Sequence, residues 1–157
     1  NEIALYTGND GNIVIDLITP YEFKIEGKII KKRIVGGLLG HYSVWTKKSV
    51  ELFNYIKDGL KNDTIDYNEI LKISVEVTDM NSALFDVANN FVGSIPGVHE
   101  VLRRQGLMEG VWCLNPNEKM SEGQSEELDR VSSQYDKWID NEFVRDFLER
   151  DGSNISR

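Results

Sequence analysis

The sequence is short of the residues that build disulfides, metal centres and membrane spans. Cys113 is the only cysteine, so the chain has no internal disulfide and no zinc site made of several cysteines. It contains no apolar run of roughly eighteen residues, which argues against a membrane-spanning helix. The first residues also lack the basic stretch and apolar stretch of a signal peptide. We therefore expect a reducing, cytoplasmic environment.

Basic residues are also scarce. Eighteen Lys and Arg residues stand against 26 Asp and Glu residues, and the net charge is −8. The stretch from Glu118 to Asp151 holds eleven acidic and five basic residues at helical spacing, which is typical of a solvated acidic helix face. Nucleic acid is a poor partner for such a chain. The one basic cluster is expected on a charged edge strand or loop, and its members are Lys28, Lys31, Lys32 and Arg33.

The overall amino-acid composition is typical of a soluble globular domain. The 157 residues are 40% hydrophobic and 28% charged, enough for one domain with a core. The pattern predicts a strand over Ile3 to Tyr6, a short helix over Asn12 to Thr19 and a hairpin between Tyr21 and Val35 that turns at Glu26 and Gly27. The next strand is ambiguous, since Ile34 to Leu39 and His41 to Trp45 both fit.

Helical spacing dominates after residue 45. It predicts a helix to Leu60 capped by Ser43 or Thr46, and a long helix whose apolar stripe runs from Ile70 through Ala88 to Phe91. A third helix is expected over 97–105, with Pro96 at its start and Gly106 after its end. A loop over 114–123 precedes one last helix, which carries Val131, Tyr135, Trp138 and Phe143, and the residues from Asp151 are expected to fray. Few strands followed only by helices predict the end of a larger α/β unit, or a chain that folds on a partner.

The turn Gly8-Asn9-Asp10 is the first candidate site. A strand end followed by a helix N-terminus presents backbone N–H groups that bind anions, including carboxylates. The same three residues are also those that any tight turn selects, and on the motif alone turn chemistry is the preferred interpretation.

No other motif identifies a reaction. The stretch Gly36-Gly37-Leu38-Leu39-Gly40 fits neither a dinucleotide-binding fingerprint nor a P-loop. His41 and His99 lack a metalloprotease motif, although His41 is the more open of the two because it follows glycines at a strand end. Ser43 lacks the surroundings of a serine-hydrolase nucleophile. We therefore predict no metal and no cofactor.

Three segments in order carry a resemblance. "IALYTGNDGNIVIDL", "GGLLGHYSVWT" and "GSIPGVHEVLRRQGLMEG" resemble the C-terminal half of the dihydrodipicolinate synthase / N-acetylneuraminate lyase family, which are pyruvate-dependent Schiff-base aldolases. The resemblance implies an α/β fold that is the C-terminal portion of a TIM (β/α)8 barrel. The seventh and eighth strands and their helices would occupy residues 1–60, with a hairpin insertion near 23–33, and a helical C-terminal extension would occupy 61–157.

The resemblance also implies a function. Members are lysine-dependent keto-acid lyases or synthases that act on pyruvate and an aldehyde or sugar acid through an iminium, without a cofactor. The family's lysine lies on the sixth strand, so this chain would begin at the seventh strand and contain no catalytic residue. Substrate-binding residues would follow the two strands, and these are Gly8, Asn9, Asp10, His41, Tyr42 and Ser43. A homo-oligomer, either tetramer or dimer, is implied as well.

Some features depart from the family pattern. The lyases usually carry an acidic residue after the Gly-x-Asp turn, where this chain has Gly11, and His41 and Trp45 are bulky where most members are smaller. Three alternatives therefore remain open: a sugar-acid dehydratase of the same family, a non-catalytic binding or regulatory barrel, and a free-standing interaction domain.

Overall fold

The computed structural model describes residues 3–155, and side chains through residue 150. Residues 156–157, the end of the segment expected to fray, lie outside the described residues, and the backbone of 151–155 is helical. The strands are β1 (Leu5–Thr7), β2 (Pro20–Ile25) and β3 (Lys28–Gly37). The helices are α1 (Ile13–Ile18), α2 (Thr46–Asn62), α3 (Tyr67–Leu84), α4 (Ser94–Arg104), α5 (Gln124–Gln134) and α6 (Asn141–Ile155).

The three strands form one mixed sheet with β3 in the centre. β1 runs parallel to β3, with Thr7 opposite Gly37, and β2 runs antiparallel to β3. The predicted hairpin turn is confirmed, because Glu26 and Gly27 have φ values of 49° and 80°, as a type I′ turn requires. The strand expected after the hairpin is not a separate element, because the second strand of the hairpin continues into it as β3. β3 covers most of the first alternative, and His41 lies instead in a short 3₁₀ turn, Gly40–Tyr42.

Two apolar clusters form the core, and α3 contributes to both. The first cluster joins α1, α2 and α3 through residues such as Leu17, Ile56 and Ile70. The second cluster joins the C-terminal half of α3 to α4 and α5, with Leu84 and Leu128 almost fully buried. Each of these side chains contributes about 1.5–3 kcal/mol by leaving water. The first cluster therefore joins residues on both sides of residue 60, where the resemblance would divide the barrel from its extension.

The predicted continuation of the long helix to Ala88 and Phe91 is wrong. α3 ends at Leu84, and Asp86 adopts a left-handed φ of 56°. The Asp86 carboxylate is buried and accepts hydrogen bonds from the Gly93 N–H at 2.8 Å and the Ser121 hydroxyl at 2.6 Å. These contacts with distant residues stabilise a loop where the helical pattern alone favours another turn of helix.

The prediction of a single last helix is also wrong, because α5 and α6 are separated by a 3₁₀ turn, Asp136–Trp138. Asp140 lies buried at this break. Its carboxylate accepts hydrogen bonds from the Lys47 N–H at 3.0 Å and from the Gln105 side chain at 2.7 Å. Asp140 therefore caps α2, and the predicted caps Ser43 and Thr46 do not, since their hydroxyls donate to backbone carbonyls of the preceding turn.

Other local predictions agree with the structure. Gly106 follows α4 with a φ of 79°, although the helix begins at Ser94, two residues before Pro96. The basic cluster is exposed as expected, but it lies on β3, the central strand, and not on an edge strand or loop. None of the described helices has the length and apolar character needed to cross a membrane.

One face of the sheet has no cover among residues 3–155. Ile34 packs against the first core cluster, whereas the Tyr6 side chain is 66% exposed. A Cβ on Gly36 would lie 3.8 Å from the Tyr6 ring, so these two residues share that uncovered face. Parallel strands in most proteins are covered on both faces. The barrel stays a prediction, since the described residues hold only one parallel pair.

Candidate functional site

The two loops predicted to bind substrate meet at one edge of the sheet. Because β1 and β3 are parallel neighbours, the loop after β1 and the loop after β3 leave on the same side. Asp10 accepts a hydrogen bond from the His41 backbone N–H, with an Oδ1 to N distance of 2.6 Å. The structure therefore brings Asp10 and His41 into direct contact across 31 residues of chain.

The other predicted residues occupy different positions around this contact. Gly8 and Asn9 are exposed and line a cleft together with Asp10. Tyr42 is half-buried against Gly37, and burial raises the pKa of its hydroxyl. The Ser43 hydroxyl donates to the Gly40 carbonyl. Tyr42 and Ser43 thus shape the loop after β3 and do not line the cleft.

Two polar residues of α3 hold the loop after β1. The Thr78 hydroxyl donates to the Gly11 carbonyl at 2.8 Å, and the Asn81 amide donates to the Asp10 carbonyl at 2.8 Å. Asn81 is only 4% exposed. Sequence reasoning missed both, and the only signal for them was a pair of polar residues three apart beside the apolar stripe of α3.

The His41 ring points inward. Its Nδ1 lies 3.2 Å from the Asn81 amide nitrogen, and the ring borders a small cavity of about 20 Å³ beside Trp45 and Trp138. Such a cavity has room for about one water molecule. Burial lowers the pKa of His41, and the hydrogen bond with Asn81 and the charge of Asp10 offset only part of that effect. The imidazole is therefore neutral at neutral pH and positions the loop.

The cleft beside Asp10 has a volume of about 520 Å³, in the range of small-molecule sites. The loop after β1 forms one wall, α3 forms the floor, and the segment after α3 forms the other wall. The lining residues are Gly8, Asn9, Asp10, Gly11, Thr78, Asn81, Ser82, Phe85, Val87, Phe91 and Ser94. They offer amides, hydroxyls and aromatic faces, with no lysine, arginine or cysteine among them. The cleft can bind and orient a polar molecule, and it lacks a nucleophilic amine or thiol.

The second wall of the cleft is fixed by a buried polar network. Gln124 is 3% exposed, and its amide donates to the Gly93 carbonyl at 3.0 Å. Burial would raise the pKa of Asp86, but hydrogen bonds from Ser121, Asn89 and Gly93 outweigh it and hold that pKa below its usual value. A Cβ on Gly93 would lie 2.0 Å from Gln124 Oε1. Only glycine therefore fits at position 93 with this network intact.

The other reactive side chains do not form a second site. The Cys113 sulfur lies 3.9 Å from His99 Nδ1, and burial together with the charge of Glu118 raises the pKa of the thiol. The raised pKa keeps Cys113 in the unreactive thiol form. In the part of the chain that the structure describes, no cluster of His, Cys, Asp and Glu could hold a metal ion.

No family model, no curated protein and no solved structure matches this chain. The interpretation of the cleft therefore depends on its geometry and on the three motifs quoted above.

Proposed function

We propose that this chain is the C-terminal part of a lysine-dependent keto-acid lyase or synthase, and that the cleft beside Asp10 forms the rim of its substrate site. One observation carries the proposal. The loops after two parallel strands are tied together by the hydrogen bond from His41 to Asp10, directly beside a cleft of small-molecule size. Active sites of (β/α)8 barrels lie at the C-terminal ends of their strands.

The uncovered sheet face supports the barrel. In the proposal, β1 and β3 are the seventh and eighth strands, and further strands pair with the outer edge of β1. Tyr6 then belongs to the packed interior, which in such barrels is filled by large side chains from the strands. This assignment gives a structural reason for a large side chain that is otherwise exposed to water.

The proposed chemistry divides between this chain and the rest of the barrel. A lysine amine attacks the ketone of pyruvate, water leaves, and the iminium accepts electrons when the carbon–carbon bond forms or breaks. The cleft contains no lysine, so that amine comes from another strand. The cleft residues bind the distal part of the aldehyde or sugar acid, and Asn9 is the exposed side chain best placed to do so. We propose a cytoplasmic homo-oligomer that acts on small molecules.

Trapping the iminium tests this function. The whole protein is mixed with pyruvate and reduced with borohydride, and we expect one covalent adduct per chain. Asn9→Ala should leave the adduct yield unchanged and alter the kcat/KM ratio between aldehyde partners by about tenfold, because one polar contact to the distal group is lost. Ser43→Ala is the matched control, since that hydroxyl bonds to Gly40 outside the cleft. Absence of any adduct with pyruvate and other 2-keto acids would refute the proposal.

A further inference from the structure

The outer edge of β2 is open. β2 lies at the edge of the sheet and pairs only with β3, so its second side meets solvent within residues 3–155. One face of the hairpin carries Phe23, Ile25 and Ile30, which are 44%, 53% and 40% exposed. Glu22 and Lys24 point to the opposite face, because side chains alternate along a strand. An exposed edge with an apolar face is a template for pairing with another strand.

The sequence of β2 is complementary to itself about Phe23. In an antiparallel pair of two β2 strands with Phe23 on the two-fold axis, Tyr21 lies opposite Ile25 of the second copy. Glu22 then lies opposite Lys24 of the second copy, and by symmetry each contact occurs twice. The apolar residues meet on one face and opposite charges meet on the other.

The backbone has donors and acceptors where this pairing needs them. In a two-residue type I′ hairpin the residues flanking the turn, Ile25 and Lys28, form a hydrogen-bonded pair. Alternation then directs the N–H and C=O groups of Glu22 and Lys24 toward the open edge. Pro20, which has no N–H, lies at the end of the strand, where a missing donor does not interrupt the ladder.

We propose that β2 binds β2 of a second copy of this chain in this register, so that the two hairpins form one four-stranded sheet. A two-stranded hairpin is only marginally stable in water, and a four-stranded sheet with a shared apolar face is more stable. The pairing places Phe23 and Ile25 beside apolar residues of the second copy and closes the open edge of β2 in both copies. It gives the proposed homo-oligomer a specific contact and is independent of the proposed lyase chemistry, because it involves neither the cleft nor the uncovered face of β1.

Charge selects the register. Centring the pair on Glu22 places two glutamates opposite each other, and centring it on Lys24 places two lysines opposite each other, which is destabilising in both cases. A shift of one residue would set Phe23 against a charged side chain. Glu22 also forms an ion pair with Lys31 of its own hairpin at 2.7 Å, so in the dimer it lies between two lysines.

Cysteine cross-linking tests the register in the whole protein, with Cys113→Ser as background. Two Phe23 residues on the axis form a non-hydrogen-bonded pair with a Cα separation of about 4.5 Å, which a disulfide can span. Phe23→Cys should therefore give a covalent dimer under mild oxidation. Ile25→Cys is the matched control, since the two copies of residue 25 lie roughly 13 Å apart along the strands. Equal cross-linking of the two variants would overturn the register.

Charge exchange tests the pairing without removing Phe23. Lys24→Glu and Glu22→Lys should each raise the dissociation constant of the self-association by about tenfold in sedimentation experiments, because like charges then face each other twice. An equimolar mixture of the two variants should associate as tightly as wild type, since opposite charges face each other again. Lys31→Glu is the control, because it removes the ion pair within the hairpin and leaves the open edge unchanged. Unchanged association of both single variants, or no recovery in the mixture, would refute the proposal.

Discussion

Asp10 lies half-buried beside the cleft and links the two loops through one carboxylate oxygen. Asp86 and Asp140 do the same for other parts of the chain, since each accepts backbone N–H donors from another segment. A buried carboxylate that accepts such hydrogen bonds stabilises a loop by about 1–3 kcal/mol, because its loss leaves donors without partners. Asp10 and Asp86 therefore fix the shape of the cleft, whereas Asp140 fixes the start of α2.

Removing the Asp10 carboxylate should loosen the rim. We expect Asp10→Ala to lower the free energy of unfolding by about 1 kcal/mol and to speed hydrogen exchange of the His41 amide. Asp10→Asn keeps an acceptor oxygen and should retain most of the protection. Amide exchange measured by NMR distinguishes the two variants. Equal His41 protection in Asp10→Ala and wild type would show that this hydrogen bond does not hold the loops together.

Glu100 gives the chain a specific pH dependence. Hydrogen bonds from Arg103, followed by those from Arg104, lower the pKa of the buried Glu100 carboxyl from 4.5 to about 2, although burial opposes them. Because the pKa is lower in the folded state, this stabilisation is complete above pH 4.5 and is lost as the pH falls toward 2.

Glu100→Gln should therefore destabilise the protein by about 2 kcal/mol at pH 7, with allowance for the partly exposed arginines, and by less than about 1 kcal/mol at pH 3. Urea unfolding at the two pH values measures the difference. The exposed Glu126→Gln serves as control and should show no comparable change. A penalty for Glu100→Gln that is equal at both pH values would contradict the ion-pair account.

The sequence did not predict which polar residues are buried or which distant segments they bond to. Asn81, Gln124 and Asp140 are polar, buried and bonded to segments 31 to 93 positions away. Helical spacing identified the apolar neighbours of Asn81 on α3 but gave no indication of its partners. The residues Gly8, Asn9 and Asp10 could be singled out, because turn chemistry and the resemblance converged on them.

At the scale of elements, glycine marked where two elements end, whereas contacts between distant segments ended two helices that periodicity continued. The hairpin turn was predictable because Gly27 favours positive φ, and the end of α4 because Gly106 does the same. The end of α3 was not predictable, since the apolar spacing continues to Phe91 while Asp86 bonds to Gly93 and Ser121. The break between α5 and α6 depends on Asp140 in the same way.

Close contact between α3 and α4 can be tested at Gly97. A Cβ on Gly97 would lie 2.3 Å from the Leu84 carbonyl oxygen, which is backbone and cannot move aside easily. We expect Gly97→Ala to lower the free energy of unfolding by about 3 kcal/mol or more, in line with other overpacked sites. Gly8→Ala is the control, because a Cβ there meets nothing within 4 Å. Thermal unfolding compares them, and equal stability of the two variants would contradict the packing described here.

At the scale of the whole molecule, the mixed sheet with one uncovered face is the feature that most needs a partner. The few strands and many helices in the sequence predicted an incomplete α/β unit, and the exposed Tyr6 on that face is consistent with that interpretation. A barrel could not be derived from periodicity, because two parallel strands are common to many α/β folds. Only the resemblance to the aldolase family indicated a barrel, and the barrel stays a proposal.

The position of the trapped keto acid tests the central claim most directly. The whole protein is reduced with borohydride in the presence of pyruvate, digested, and mapped by mass spectrometry. The proposal predicts a single modified lysine that lies outside residues 1–157, together with weaker discrimination between aldehydes in Asn9→Ala. A modified lysine within this chain, or no modified lysine with any 2-keto acid, would contradict the account of the cleft as the rim of a Schiff-base lyase.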